Sequence, residues 1–183
     1  MRRKGFTMIE MITVLAIIAV ILATVIPRMQ VTPAREVRSQ AYILIGDLEL
    51  ARTKAVSAKS DTRLVFDVGS GSYTGYMDDD HDGVINETAS EEAALGGFGT
   101  RTLPSDVLFG QGVAPALPSI SGTGPITFTG SRLNFNNRGL TTPFQTRGAV
   151  YLVNRDDPSV VAAVAVSGAG SFRVWIYENG VWQ

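Results

Sequence analysis

An α+β architecture, in which a long amino-terminal helix leads into an antiparallel β-rich head, is predicted by three patterns. The first is an apolar run from Met8 to Ile26, nineteen residues whose only charge is Glu10. The second is a stripe of Val37, Ala41, Leu44, Leu48, Ala51 and Ala55, at alternating spacings of four and three, which is the period of one face of an amphipathic helix. The third is a change to period two from Thr62 onward, with glycine and asparagine clusters between the runs. The chain has 183 residues, enough for one head of ordinary size with a core of its own once the helix is set aside.

The apolar run comes first. At 1.5 Å per residue it is about long enough to cross a hydrocarbon layer of roughly 30 Å. Arg2, Arg3 and Lys4 precede it, and basic residues stay on the cytoplasmic side, so everything beyond Pro27 is expected to be exported. A secretory signal would be cut behind the run after small residues, and Leu22 to Pro27 offers no such pattern. The alternative cut lies before the run, after Gly5. It would remove the basic residues and leave Phe6 as the new terminus.

Glu10 then needs a partner. A carboxylate in a membrane helix costs on the order of 3 kcal/mol by insertion scales. Cleavage after Gly5 would create an α-amino group on Phe6, and in a packed array that amine could neutralise the Glu10 of a neighbour. The plainer alternative is that Glu10 sits among lipid headgroups as part of the first turn of a simple anchor.

Gly5-Phe6-Thr7-Met8-Ile9-Glu10 resembles the processing site of type IV pilins and type II secretion pseudopilins. By that resemblance a prepilin peptidase cuts after Gly5, Phe6 is N-methylated, and Glu10 is the assembly carboxylate. Pro27 matches a proline that these families carry near the end of the apolar half-helix. The resemblance implies a pilin-like fold, anchorage in the bacterial inner membrane by a single pass with the head in the periplasm, and assembly with other pilins or pseudopilins into a helical filament. The expected domains are a leader at 1–5, a transmembrane and assembly half-helix at 6–30, an amphipathic half-helix at 31–60 and a β-rich head at 61–183.

A helix from Phe6 to about Lys59 would be roughly 80 Å long. Pro27, and again Pro33, should kink it, because proline lacks the amide donor and clashes with the preceding turn. The positions opposite the stripe, Arg38, Asp47, Glu49, Arg52 and Lys54, are mostly charged and are read as its solvent face.

In the head, Thr62 to Val68 and Ser72 to Met77 read as a hairpin around Gly69-Ser70-Gly71. Further strands are expected at Ile126 to Phe128, Arg132 to Phe135, Ala149 to Val153, Val160 to Ser167 and Phe172 to Tyr177. Val160 to Val166 is almost continuously apolar, as in a strand covered on both faces. Ala93 to Gly124, rich in Gly, Pro and Ser, reads as a long mobile connection with at most one short strand near Val107 to Phe109. The stretches ITFTGSRLNFNNRG at 126–139, GAVYL at 148–152 and VAVSGAGSFR at 164–173 resemble the strand order of the GspH/FimT group of minor pseudopilins and minor pilins. In that group a final strand follows a glycine and carries a basic residue, here Gly170 and Arg173.

The chain has no cysteine, so disulfides, thiolate zinc sites and cysteine nucleophiles are excluded. His81 is its single histidine, no G-x-S-x-G, G-x-G-x-x-G or P-loop pattern occurs, and no enzyme is expected. One constellation is chemical. Asp78, Asp80 and Asp82 take the first, third and fifth places of a D-x-D-x-D-G calcium loop, Gly83 permits the sharp turn, the Val84 carbonyl falls at the seventh place and Asn86 at the ninth. The twelfth is Ala89, so Glu91 or Glu92 would have to serve in a longer loop. A solvated acidic turn is the competing reading.

Charge is unevenly spread. Residues 61–92 hold nine acids and one arginine, whereas 100–183 hold six arginines and four acids. Two function classes follow. One is a structural subunit, a minor pseudopilin or pilin that joins or primes a type II secretion pseudopilus or a type IV pilus. The other is a pilus-tip binding module in which Arg132, Arg138, Arg147, Arg155 and Arg173 grip DNA or another acidic polymer.

Overall fold

The computed structural model describes residues 7–25 and 32–183. The leader, Phe6 and Pro27 lie outside the described residues, and so does any continuity of helix through 26–31. Two units are distinguished, one before and one after the Thr32–Pro33 junction.

In the first unit, helix α1 spans Met8–Val25. Its side chains from Thr7 to Ala23 are all exposed. Eighteen residues correspond to about 27 Å, and among the described residues no helix is long and apolar enough to cross a membrane. The apolar run of the sequence reaches Ile26, which falls beyond the described part.

In the second unit, helix α2 spans Pro33–Ala58. Pro33 therefore opens a helix and does not kink one. At the first helical position its missing donor is one that would be unpaired in any case. The helix ends as Lys59 turns to φ +55° and the Ser60 amide closes back on the Ala55 carbonyl at 3.1 Å, which satisfies an orphan carbonyl of the last turn. All six stripe residues are buried. Asp47, expected on the solvent face, is buried too.

Two five-stranded antiparallel sheets follow. The first has the order β3-β2-β1-β5-β6, built from β1 (Thr62–Asp67), β2 (Ser72–Met77), β3 (Thr100–Thr102), β5 (Arg132–Phe135) and β6 (Thr141–Thr142). The second runs β10-β9-β8-β7-β4, from β4 (Val107–Phe109), β7 (Gly148–Asn154), β8 (Val161–Val166), β9 (Phe172–Glu178) and β10 (Val181–Trp182). Of the expected strands, Ile126 to Phe128 is reduced to one bridge between Ile126 and Val150. The short β3, β6 and β10 carry too few residues for a period to be read.

The stripe of α2 packs with Leu64 and Phe66 of β1, Leu133 and Phe135 of β5, and Val150, Leu152, Ala162, Val164 and Val166 of β7 and β8. One core thus joins the helix to both sheets. Every residue of β7 is buried, because Leu117 and Ile120 cover its outer face together with Trp175 and Trp182. The cover is pinned by the Leu117 amide donating to the Tyr151 hydroxyl at 2.9 Å and by the Trp182 indole donating to the Pro115 carbonyl at 3.0 Å.

The segment 93–124 is consequently not a mobile connection. It contributes buried Leu95, Phe98, Leu103, Ala114 and Leu117 to the packed head. Its anchors are single apolar residues between glycines and prolines, so they leave no periodic signal. A short helix α3, Ala89–Ala94, precedes it and brings Leu95 and Phe98 over β2 at Gly75. A Cβ at Gly75 would collide with Leu95 and lie 2.8 Å from Phe98 Cδ1, so the absent side chain makes this approach possible.

Leu48 is fully buried in the stripe, whereas Tyr42, on the same helix, is 60 % exposed. Leu48→Ala is expected to lower stability by about 2–5 kcal/mol and Tyr42→Ala by no more than about 0.5 kcal/mol. Urea denaturation of the two variants measures the difference.

Candidate functional site

At the amino end of α1, Thr7 and Glu10 reproduce the S/T-x-x-E pattern of a capping box. The Glu10 amide donates to Thr7 Oγ1 at 3.3 Å and the Thr7 amide donates to Glu10 Oε2 at 3.4 Å. Glu10 is therefore held at the positive end of the helix dipole, where a carboxylate is favoured. Both contacts are long and exposed, so the carboxylate stays available to another cation. Beyond it the apolar side chains of α1 point to all sides, with Ile12, Leu15, Ile17 and Ile18 all exposed. Exposed apolar surface of this extent marks an interaction surface. Gly5 and Phe6, expected to be the processing site, lie outside the described residues.

The acidic turn starts where β2 ends. The Asp78 amide donates to the Asp61 carbonyl at 3.0 Å, and Ser60 Oγ donates to the Asp78 carbonyl at 2.5 Å. The chain then turns through left-handed His81 and Gly83 at φ +61° and +82°. Asp78 Oδ2 accepts the Gly83 amide at 2.9 Å, Asp80 Oδ1 the Asp82 amide at 3.2 Å, and Asp82 Oδ1 the Val84 amide at 2.7 Å. One carboxylate oxygen from each of Asp78, Asp80 and Asp82 lies within 4.8 Å of the others. For Asp80 the Asp82 amide favours the charged form, but the neighbouring Asp78 and Asp82 carboxylates and slight desolvation outweigh it and raise the pKa.

The other expected ligands are differently engaged. Asn86 gives its amide to Glu91 Oε1 at 2.9 Å, while Glu91 Oε2 takes the Thr88 amide at 2.9 Å and completes the capping box of α3. Both oxygens of Glu91 thus accept hydrogen bonds, Glu92 faces Thr100, and neither belongs to the cluster of Asp78, Asp80 and Asp82. The bonds of Val84 and Asn86 involve their amides, not the oxygens that a calcium loop would use.

Beyond the turn, Glu87 bridges two arginines. Arg132 meets it bidentately at 2.6 and 3.0 Å, and Arg63 Nη1 donates to it at 3.0 Å and to the Ile85 carbonyl at 2.8 Å. The Arg132 hydrogen bonds hold the Glu87 carboxyl below its ordinary value against some desolvation, with Arg63 adding to the effect. A second polar contact lies inside the head, where the Tyr73 hydroxyl donates to Asp47 Oδ2 at 2.7 Å. Burial, followed by this bond, raises the Tyr73 pKa. Neither Glu87 nor Tyr73 stands out in the sequence, since each acts through a partner more than twenty residues away.

The five arginines assigned to an acidic polymer sit in different elements and have different partners. Arg132 is taken by Glu87, and Arg155 Nε donates to the Ser105 carbonyl at 2.7 Å. Arg173 lies over the Trp175 ring at 5.2 Å. Arg147 precedes β7 and Arg155 follows it, which separates them by roughly 26 Å of strand. Arg138 is exposed in the turn between β5 and β6.

Comparison with known proteins agrees with the geometry at both ends. Residues 1–26 match the model of the prokaryotic N-terminal methylation motif. The structure of the minor pseudopilin EpsH from the type 2 secretion system of Vibrio cholerae is similar at a TM-score of 0.50 and 14 % identity, over 76 % of this chain and 95 % of that one. The type IV minor pilin FimU of Pseudomonas aeruginosa gives a TM-score of 0.44 at 16 % identity, over 81 % and 92 %. None of the curated protein sequences matches the chain. The chain has a pilin-like α+β fold, shared with the secretion pseudopilin.

The Glu87 bridge has a defined pH dependence. Because the folded pKa lies below the ordinary 4.5, its contribution is complete above that value and disappears as the pH falls through the lowered one. Glu87→Gln is expected to cost about 1 kcal/mol at pH 7 and progressively less as the pH is lowered below 4.5. Urea melts across this range check it, and a constant difference would refute the bridge.

Proposed function

We propose that the protein is a minor pseudopilin or minor pilin, a structural subunit that is inserted in the inner membrane, processed by prepilin peptidase between Gly5 and Phe6, and built into a filament with other pilins or pseudopilins. The observation that carries this reading is the methylation motif over residues 1–26 on a chain with a pilin-like head. The basic residues before Gly5 orient the head toward the periplasm. The uncovered circumference of α1 supports assembly, because it offers apolar surface first to lipid and then to neighbouring helices. Glu10 pairs with the amine of Phe6 on a neighbouring subunit, which neutralises the one carboxylate of the segment. No catalytic role is assigned to the head.

Glu10→Gln separates the two things that Glu10 does. Glutamine also serves at the third position of a capping box, so insertion and leader removal are expected to persist. Incorporation into sheared filaments or cross-linked pseudopili should fall about a hundredfold or more, since a buried charge left without its partner costs roughly 3 kcal/mol. Incorporation of Glu10→Gln at the wild-type level would overturn the charge-pairing role.

A further inference from the structure

We propose that Asp78, Asp80 and Asp82 form a calcium site that locks the acidic turn to the junction between α2 and β1. Clustered carboxylates alone would not carry this, since a solvated turn accounts for exposed acids. Asp78 is different. It is 3 % exposed, and its Oδ1 is buried without any hydrogen-bond partner. Among the described residues no lysine or arginine forms an ion pair with Asp78, Asp80 or Asp82. A buried carboxylate oxygen of this kind is costly to leave unpaired and calls for a cation or a hydrogen-bond donor.

The donor set selects the ion. All three groups supply oxygen, from alternate residues, with one oxygen of each within 4.8 Å of the others. His81 is not part of the cluster, and the chain has no cysteine, so the nitrogen and sulfur ligands favoured by zinc are missing. Calcium accepts six to eight oxygens in irregular geometry, whereas magnesium requires a near-ideal octahedron and gives up its waters reluctantly. Asp80 and Asp82 are exposed, which leaves the remaining positions to water. Without a bidentate glutamate the affinity should be on the order of 10⁻⁴ to 10⁻³ M, the range of extracellular modules.

The position explains what the ion would do. The main chain of Asp78 is already bonded to Ser60 and Asp61, two of the three residues between α2 and β1. A cation held by the Asp78 side chain would therefore fasten the turn to the end of the core helix. This inference is independent of the filament role.

The full chain in detergent micelles is titrated with calcium by calorimetry and melted in chelator, in calcium, in magnesium and in sodium chloride of matched ionic strength. At calcium ten times above Kd the melting temperature is expected to rise by roughly 3–6 °C. Asp80→Asn and Asp82→Asn, at exposed positions, should keep the fold and lose most of that rise. Asp79→Asn, whose parent side chain bonds Ser90 outside the cluster, should retain it. An unchanged melting temperature with no calorimetric binding overturns the site. So does an equal rise in magnesium or sodium chloride.

Discussion

The burial of one face of α2 against both sheets is the constraint on which the rest of the head depends. Val37, Ala41, Leu44, Leu48, Ala51 and Ala55 form a single core with residues from β1, β5, β7 and β8. Alanine at three of the six positions lets the strands approach closely, while leucine and valine fill the space between. Without a disulfide no covalent closure assists this packing. The two sheets form separate hydrogen-bonded ladders, so the helix is the element that relates their inner faces.

Polar contacts then decide where the connecting segments lie. Asp47 turns its carboxylate to the Tyr73 hydroxyl and lies 3.6 Å from Arg101 Nε, which draws β2 and β3 toward the helix. Arg52 donates to the Gly139 carbonyl at 2.9 Å and holds the turn between β5 and β6. Glu87, between Arg63 and Arg132, brings the chain back to β1 and β5 after the acidic turn. Each contact joins residues distant in sequence, and each satisfies a group that would be costly to leave unpaired near the core. Asp47, Arg52 and Arg132, which look like parts of a solvent face or a basic patch in the linear sequence, are occupied in this way.

The two units meet opposite physical demands. The head buries its apolar residues within itself, whereas α1 exposes them on all sides. An exposed apolar helix with a carboxylate in its first turn is unfavourable for an isolated chain in water. The capping box at Thr7 and Glu10 satisfies the helix terminus but leaves the charge exposed.

Much of this organisation was legible in the linear sequence. The stripe of α2, the β1–β2 hairpin and the doubly covered β8 follow from periodicity, because regular elements repeat the same environment every two or 3.6 residues. The apolar run and Gly5-Phe6 at its head are local motifs and needed no fold to be read. What only the tertiary structure decided is non-local. Asp47 is buried because a tyrosine from β2 reaches it. Arg132 is engaged because Glu87 returns to β5. Segment 93–124 is ordered because isolated side chains find places on surfaces made by strands far along the chain. In the acidic turn, spacing indicated three aspartates for one ion, but the fold buried one oxygen of Asp78 and turned Glu91 away. Sequence determines what repeats or lies close along the chain, whereas the partners of single polar side chains depend on which distant strands become neighbours.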